Sequence, residues 1–154
     1  MKRARTFLLS LILVAGPVFA NEVVDEGREM IRESRLDIVR SELQLSDEEA
    51  EAFWPIYTQY RGETDAIQDR YAAMIEGYMR RYDNADLSNE YADELIETFF
   101  GIKRELLDVQ EKYLVEFRKV LPSLKIARLF QLENKVNAEI DERLALIVPL
   151  IDPS

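Results

Sequence analysis

The widest hydrophobic pattern in the chain lies in residues 91–121, YADELIETFFGIKRELLDVQEKYLVEFRKVL. On a seven-residue grid its apolar residues fill three adjacent columns, which are Phe99, Leu106, Tyr113 and Val120; Phe100, Leu107, Leu114 and Leu121; and Leu95, Ile102 and Val109. At about 100° per residue these columns cover roughly 160° of a helix surface, which is more than one antiparallel neighbour covers. The pattern therefore predicts a central helix that is covered on two sides, with the second column as a core or dimer ridge.

The remaining periodic segments predict three more helices and no strand. The capping-box sequence that starts at Ser46, the cap residue Ser88, and the prolines Pro122 and Pro149 mark the expected boundaries. The predicted helices cover approximately residues 23–44, 47–82, 89–121 and 123–148. The expected fold is all-α, an elongated four-helix protein built on a long antiparallel helical hairpin of the second and third helices.

The first twenty residues have the pattern of a secretory signal peptide. A basic start precedes an apolar run over residues 7–15, and a Gly-Pro break is followed by small residues before a cleavage site after Ala20. That apolar run is much shorter than the roughly 20 residues that a membrane-spanning helix needs. We therefore predict a cleaved signal peptide over residues 1–20, a single domain over residues 21–154, no membrane span after cleavage, and a location in the periplasm.

Charge and missing residue types narrow the class of function. The chain has 20 Lys+Arg and 30 Asp+Glu, and loss of residues 1–20 changes the net charge from −10 to −13 because three cations and no acid are removed. A surface this acidic repels phosphates, so we predict no nucleic-acid partner. The chain has no His and no Cys, which excludes imidazole catalysis, thiol chemistry and disulfides. We predict a protein that is not an enzyme, with no cofactor and no metal site.

Tyrosine is concentrated on the second predicted helix, where five of the seven Tyr residues lie. Tyr has an apolar ring and a polar hydroxyl, which suits a surface that a partner covers intermittently. The candidates for apolar contact with a client or partner are Trp54, Tyr57, Tyr71 and Tyr78. The candidates for contact with acidic client segments are Arg70, Arg80 and Arg81. The alternative is that these aromatic residues form the boundary of the core, since aromatic residues at helical spacing usually pack inward.

Two segments resemble the Spy/CpxP-like group of small periplasmic proteins, which carry repeated L-T-x-x-Q motifs. The segments are LQLSDEEAEAFWPIYTQY, residues 43–60, and VLPSLKIARLFQLENKVNAEI, residues 120–140. Residues 45–49 match the first motif with Ser for Thr and Glu for Gln, and both changes keep the capping chemistry. Residues 121–125 fall at the second motif and keep only its Leu. The resemblance implies a cradle-shaped helical dimer that acts as an ATP-independent chaperone or an envelope-stress accessory.

These observations favour an exported binding protein that holds unfolded or partly folded envelope proteins through weak apolar and charged contacts. An alternative partner is the periplasmic domain of a membrane sensor, to which the chain would bind as a regulatory adaptor. A third alternative is a structural spacer whose helices only pack against each other. Binding of many clients, binding of one partner, and binding of none distinguish the three hypotheses.

Overall fold

The computed structural model describes residues 32–152, which are 84% helical and contain no strand. The predicted all-α class is therefore confirmed. The described helices are α1 over residues 32–42, α2 over Asp47–Asp83, α3 over Asn89–Phe117 and α4 over Ser123–Ile147. The predicted signal peptide and residues 21–31 lie outside the described residues. Contacts divide the chain into two units, Met1–Asp37 and Ile38–Ser154, and α2, α3 and α4 all lie in the second unit.

The capping box forms at the start of α2, as predicted. The Glu49 amide donates a hydrogen bond to Ser46 Oγ at 3.3 Å, and the Ser46 amide donates to Glu49 Oε2 at 2.8 Å. This reciprocal pair satisfies an N–H group that the first helical turn leaves without an internal acceptor. Asp47 and Glu48 add negative charge at the positive end of the helix dipole. The helix then continues through Pro55.

α2 and α3 run in opposite directions and contact each other along their length. The rings of Phe53 and Phe117 lie 5.6 Å apart and join the start of α2 to the end of α3. Farther along α2, Arg70 pairs with Glu105 at 2.6 Å. Only residues 84–88 separate the two helices, which is the connection length expected between antiparallel neighbours.

α4 runs parallel to α2 and therefore opposite to α3. Tyr57, in the first half of α2, contacts Glu133 in the middle of α4, and Tyr78 near the end of α2 contacts Pro149 beyond the end of α4. The buried apolar residues of α4 are Ile126, Leu129, Leu132 and Val136. This apolar face closes the core that α2 and α3 begin.

α3 ends at Phe117, four residues before the predicted end at Leu121. The last turn tightens, since the Val120 amide donates to the Phe117 carbonyl at 3.1 Å, three residues back. Leu121 then leaves the line of the helix and becomes buried, and Pro122 starts α4. The expectation that Leu121 continues the second column of α3 is therefore corrected.

A non-glycine residue occupies the left-handed position that ends α2. Ala85 has φ of 53°, and the amide of Asp86 donates to the Arg81 carbonyl while the Ala85 amide donates to the Tyr82 carbonyl. These two bonds form a Schellman motif, in which glycine is the residue usually found at the left-handed position. The Cβ of Ala85 crowds the backbone in this conformation, and glycine would remove that contact.

We expect Ala85→Gly to raise the free energy of unfolding by about 0.5–1 kcal/mol, because relief of the left-handed strain outweighs the added entropy of the unfolded chain. Urea denaturation followed by circular dichroism measures the change. Ala66→Gly is the matched control, since Ala66 is exposed inside α2 and the same change there should cost about 1 kcal/mol. Equal destabilisation by both changes would contradict the assignment of strain to Ala85.

Candidate interaction surface

An aromatic cluster joins α2 to α3 and determines which side chains remain at the surface. The Tyr60 ring lies 5.5 Å from that of Tyr113 and 5.7 Å from that of Phe117, and Phe53 lies on the other side of Phe117. All four rings are buried. Each such pair contributes about 0.5–1.5 kcal/mol beyond the area it buries. The cluster therefore fixes the alignment of α2 against α3.

Polar contacts extend the same alignment along the two helices. The Tyr113 hydroxyl donates to Glu63 Oε1 at 2.7 Å, and Lys112 Nζ donates to the same atom at 2.6 Å. Burial, and then the hydrogen bond to Glu63, raises the pKa of Tyr113 to about 12. The hydrogen bonds from Lys112 and Tyr113 lower the pKa of Glu63. At neutral pH the hydroxyl is thus protonated and the carboxylate ionised, which are the states that these hydrogen bonds require.

Tyr57, which we predicted as a contact for a partner, belongs instead to a buried polar network. Its side chain is 1% exposed, and its hydroxyl donates to Glu133 Oε1 at 2.6 Å. Arg61 donates to the second oxygen of Glu133 at 3.0 Å and also pairs with Asp65. Burial alone lowers the pKa of Arg61, but attraction to Glu133 and Asp65 raises it above its usual value. Tyr57 therefore attaches α4 to α2 and is covered by the fold.

Sequence reasoning missed Glu133, although the pattern contained a signal. The heptad pattern of α4 places buried residues at Ile126, Leu129 and Val136, and Glu133 occupies the position of that pattern between Leu129 and Val136. A carboxylate at a core position requires a buried partner. The position of Glu133 thus predicts a polar residue on the facing helix, which the structure identifies as Arg61.

The other aromatic candidates are covered to different degrees. Tyr78 is buried, and its hydroxyl donates to the Pro149 carbonyl at 2.8 Å. Trp54 is half-buried, with an arginine guanidinium 5.4 Å from its ring centroid. Tyr71 is also half-buried, with a lysine ammonium 4.9 Å from its ring centroid. The expectation that Tyr78 lies on a partner surface is therefore corrected, as it is for Tyr57, because the hydroxyls of both are used inside the fold.

The three candidate arginines are all exposed, but two are engaged within the chain. Arg70 pairs with Glu105 at 2.6 Å, and Arg81 pairs with Asp86 at 3.3 Å. Arg80 forms no ion pair with any residue in the range 32–152. Of the three, Arg80 is thus the cation for which no acidic residue in the described part of the chain competes with an acidic partner.

The predicted ridge on α3 is partly bare within a single chain. Leu121 is buried and Leu114 is partly exposed, whereas Phe100 and Leu107 are 53% and 54% exposed. The neighbouring helices pack against the face of α3 that contains Val109, which is buried, and leave the next ridge facing away. The ridge was predicted as part of the core or of a dimer interface; the fold of one chain does not bury Phe100 and Leu107, so for these two residues the dimer interface stays a prediction.

Three residues of this ridge, together with Ile96 next to it, form a row of partly or mostly exposed apolar side chains along one side of α3. We define the outer stripe as Ile96, Phe100, Leu107 and Leu114. Their spacings of four, seven and seven residues place them on one face of the helix. At 1.5 Å per residue the row is about 27 Å long. Among the described residues, no helix covers these side chains as α2 and α4 cover the opposite face of α3, so the outer stripe is the candidate interaction surface.

Across residues 32–152, no three acidic side chains come together in a way that could hold a metal ion. None of the helices in that range combines the length and the apolar character needed to cross a bilayer.

We expect Glu133→Gln to lower the free energy of unfolding by about 1.5–3 kcal/mol, since it removes the charge that Arg61 and Tyr57 meet in the core. Urea denaturation measures this loss. The matched control is Glu116→Gln, which breaks an exposed pair with Lys119 at 2.7 Å and should cost less than about 1 kcal/mol. If the two changes cost the same, the Glu133 network does not hold α4 in place.

Comparison of the chain with protein-family models, with curated proteins and with solved structures finds no match. The resemblance to the Spy/CpxP-like group therefore stays a prediction. Of its two motif positions, the first forms a complete capping box around Ser46, whereas at the second Pro122 precedes α4 and no side chain caps the helix.

Proposed function

We propose that the chain is a non-enzymatic binding protein of the periplasm that holds apolar segments of partly folded proteins without nucleotide. The observation that carries this proposal is the outer stripe, in which Phe100 and Leu107 stand more than half exposed on a helix whose opposite face is packed. A row of large apolar residues that the fold leaves in contact with water is typical of a protein–protein interaction surface.

The energetics of the outer stripe favour weak and reversible binding. Full burial of a Leu, Ile or Phe side chain is worth about 1.5–3 kcal/mol, so covering the exposed half of one gives about 1 kcal/mol. The whole stripe then contributes about 3–4 kcal/mol of gross burial energy, and the freedom that the two partners lose on association offsets much of it, so the stripe alone binds weakly. A client that is bound this weakly dissociates readily. Ready dissociation is required of a protein that has no nucleotide-driven step to release its client.

Charged residues beside the stripe supply the remaining contacts. Arg104 and Glu111 are both exposed and lie on the same side of α3 as Phe100. Charged residues of both signs around the stripe add little affinity at physiological salt. They disfavour partners that have a large net charge of either sign. The candidate cation Arg80, near the end of α2, is a further contact for acidic segments.

Two copies that pack stripe against stripe cover both apolar rows at once and so bury about twice the apolar area, and we therefore expect a homodimer through the outer stripe when no client is present. Client and second copy then compete for Phe100 and Leu107. A regulatory adaptor that binds one sensor domain would use the same surface, and it would differ in binding that one partner and no denatured reference protein.

We expect Leu107→Ser to reduce suppression of aggregation of a denatured reference protein at least severalfold, because it removes the centre of the outer stripe. Light scattering at increasing ratios of chain to client measures this effect. Leu146→Ser is the matched control, since Leu146 is highly exposed on α4 and lies outside the stripe. Circular dichroism of both variants establishes that the helices are intact.

Three results bear on this proposal differently. Loss of suppression in Leu107→Ser alone supports the outer stripe as the client surface. Equal suppression by both variants and the parent chain places the activity elsewhere and contradicts the proposal. No suppression by the parent chain at any ratio removes the chaperone function, and sedimentation velocity then tests whether the stripe serves only the dimer.

A further inference from the structure

A groove lies at the end of the outer stripe, between α3 and α4. Its volume is about 230 Å³, and it is lined by Leu114, Arg118, Ser123, Ile126, Ala127 and Phe130. Leu114 is also the last residue of the outer stripe, so the stripe leads into the groove. The floor is apolar, and the two polar side chains come from the two ends of the short connection between the helices.

The two polar side chains of the groove have no partner among residues 32–152. Arg118 forms no ion pair and the Ser123 hydroxyl forms no hydrogen bond in that range, whereas Lys119, next to Arg118, pairs with Glu116 at 2.7 Å. The chain contains 30 acidic residues, yet none of the described ones meets this guanidinium. An exposed cation beside an apolar floor is complementary to a ligand that is apolar and carries a negative charge.

The groove is large enough for one side chain of a ligand. A cavity of about 150 Å³ accommodates a benzene ring, so 230 Å³ accommodates a large aliphatic or aromatic side chain. Sites for drug-sized molecules and cofactors have volumes of about 300–1,000 Å³. The groove is therefore matched to part of a polypeptide.

The connection of residues 118–122 closes one end of the groove, because it joins the two helices that form the walls. Arg118 and Ser123 lie at this closed end. A polypeptide that follows the outer stripe toward Leu114 meets the connection there, so its chain must either turn outward or end. The segment that fits best is one that ends, with its terminal carboxylate at the closed end.

We propose that the groove binds the carboxyl-terminal residue of a partner polypeptide when that residue is large and apolar. The side chain lies against Ile126 and Phe130, and the carboxylate accepts hydrogen bonds from Arg118 and Ser123. This inference rests on the proposed function and identifies the part of a client that the surface selects. Clients with an apolar free carboxyl end are then held more tightly than internal apolar segments.

The test compares two N-terminally fluorescein-labelled octapeptides of neutral polar residues that end in Leu, one with a free carboxylate and one with a terminal amide. Fluorescence anisotropy should show that the full chain binds the free acid about fivefold more tightly than the amide. Arg118→Gln should reduce binding of the acid to the level of the amide and leave the amide unchanged. Arg143→Gln, an exposed cation of α4 outside the groove, should leave both unchanged.

A second variant tests the groove itself. Ala127→Leu adds three carbons to an exposed lining residue without lowering helix propensity, so it should weaken both peptides while the helix content is unchanged. Equal affinity for acid and amide, or discrimination that survives Arg118→Gln, overturns the inference. If the chain still suppresses client aggregation in that case, the proposed function stands without it; if peptides are discriminated but aggregation is not suppressed, the groove stands and the proposed function fails.

Discussion

The contact on which the rest of the described structure depends is the aromatic cluster between α2 and α3. Tyr60 lies between Tyr113 and Phe117, and this placement sets the alignment of two helices that would otherwise slide past each other at heptad steps. Once Tyr113 and Val109 are turned toward α2, the ridge that begins at Phe100 faces away, because at about 100° per residue Phe100 lies about 180° around the helix from Val109. The surface is thus a consequence of the core.

The buried carboxylate of Glu133 sets the alignment of α4 against α2. Leucine at this position would bury more apolar area, and a buried ion pair is often no more stabilising than apolar residues of similar size. What the pair adds is selectivity, since a slip of α4 by one turn would leave Arg61 and Glu133 buried without each other. The same placement brings Phe130 beside Phe117 and so forms one wall of the groove.

Local signals in the sequence predicted where the helices lie. They predicted much less well which faces of those helices the rest of the fold buries. The capping box at Ser46 depends on neighbours in the chain alone, and it forms as expected. Which columns of α3 are buried depends on how many helices pack against it. The hydrophobic periodicity of α3 does not specify how many helices do so. The sequence therefore predicted Phe100 only as part of a core or dimer ridge, and the fold of one chain leaves its side chain 53% exposed. The prediction that Tyr57 contacts a partner was wrong because its hydroxyl is used inside the fold. The acceptor, Glu133, lies 76 positions away in the sequence, so no local pattern around Tyr57 indicates it.

Stability does not account for the apolar identity of the outer stripe. A residue that is more than half exposed in the folded chain loses little water on folding, so Phe100 and Leu107 contribute much less to the free energy of unfolding than Val109 on the packed face. Nor does helix propensity require Phe at position 100, since Phe is a weaker helix former than Lys or Glu. In a chain that is otherwise rich in charge, apolar residues kept at helical spacing in water are explained most simply by a second surface that covers them for part of the time.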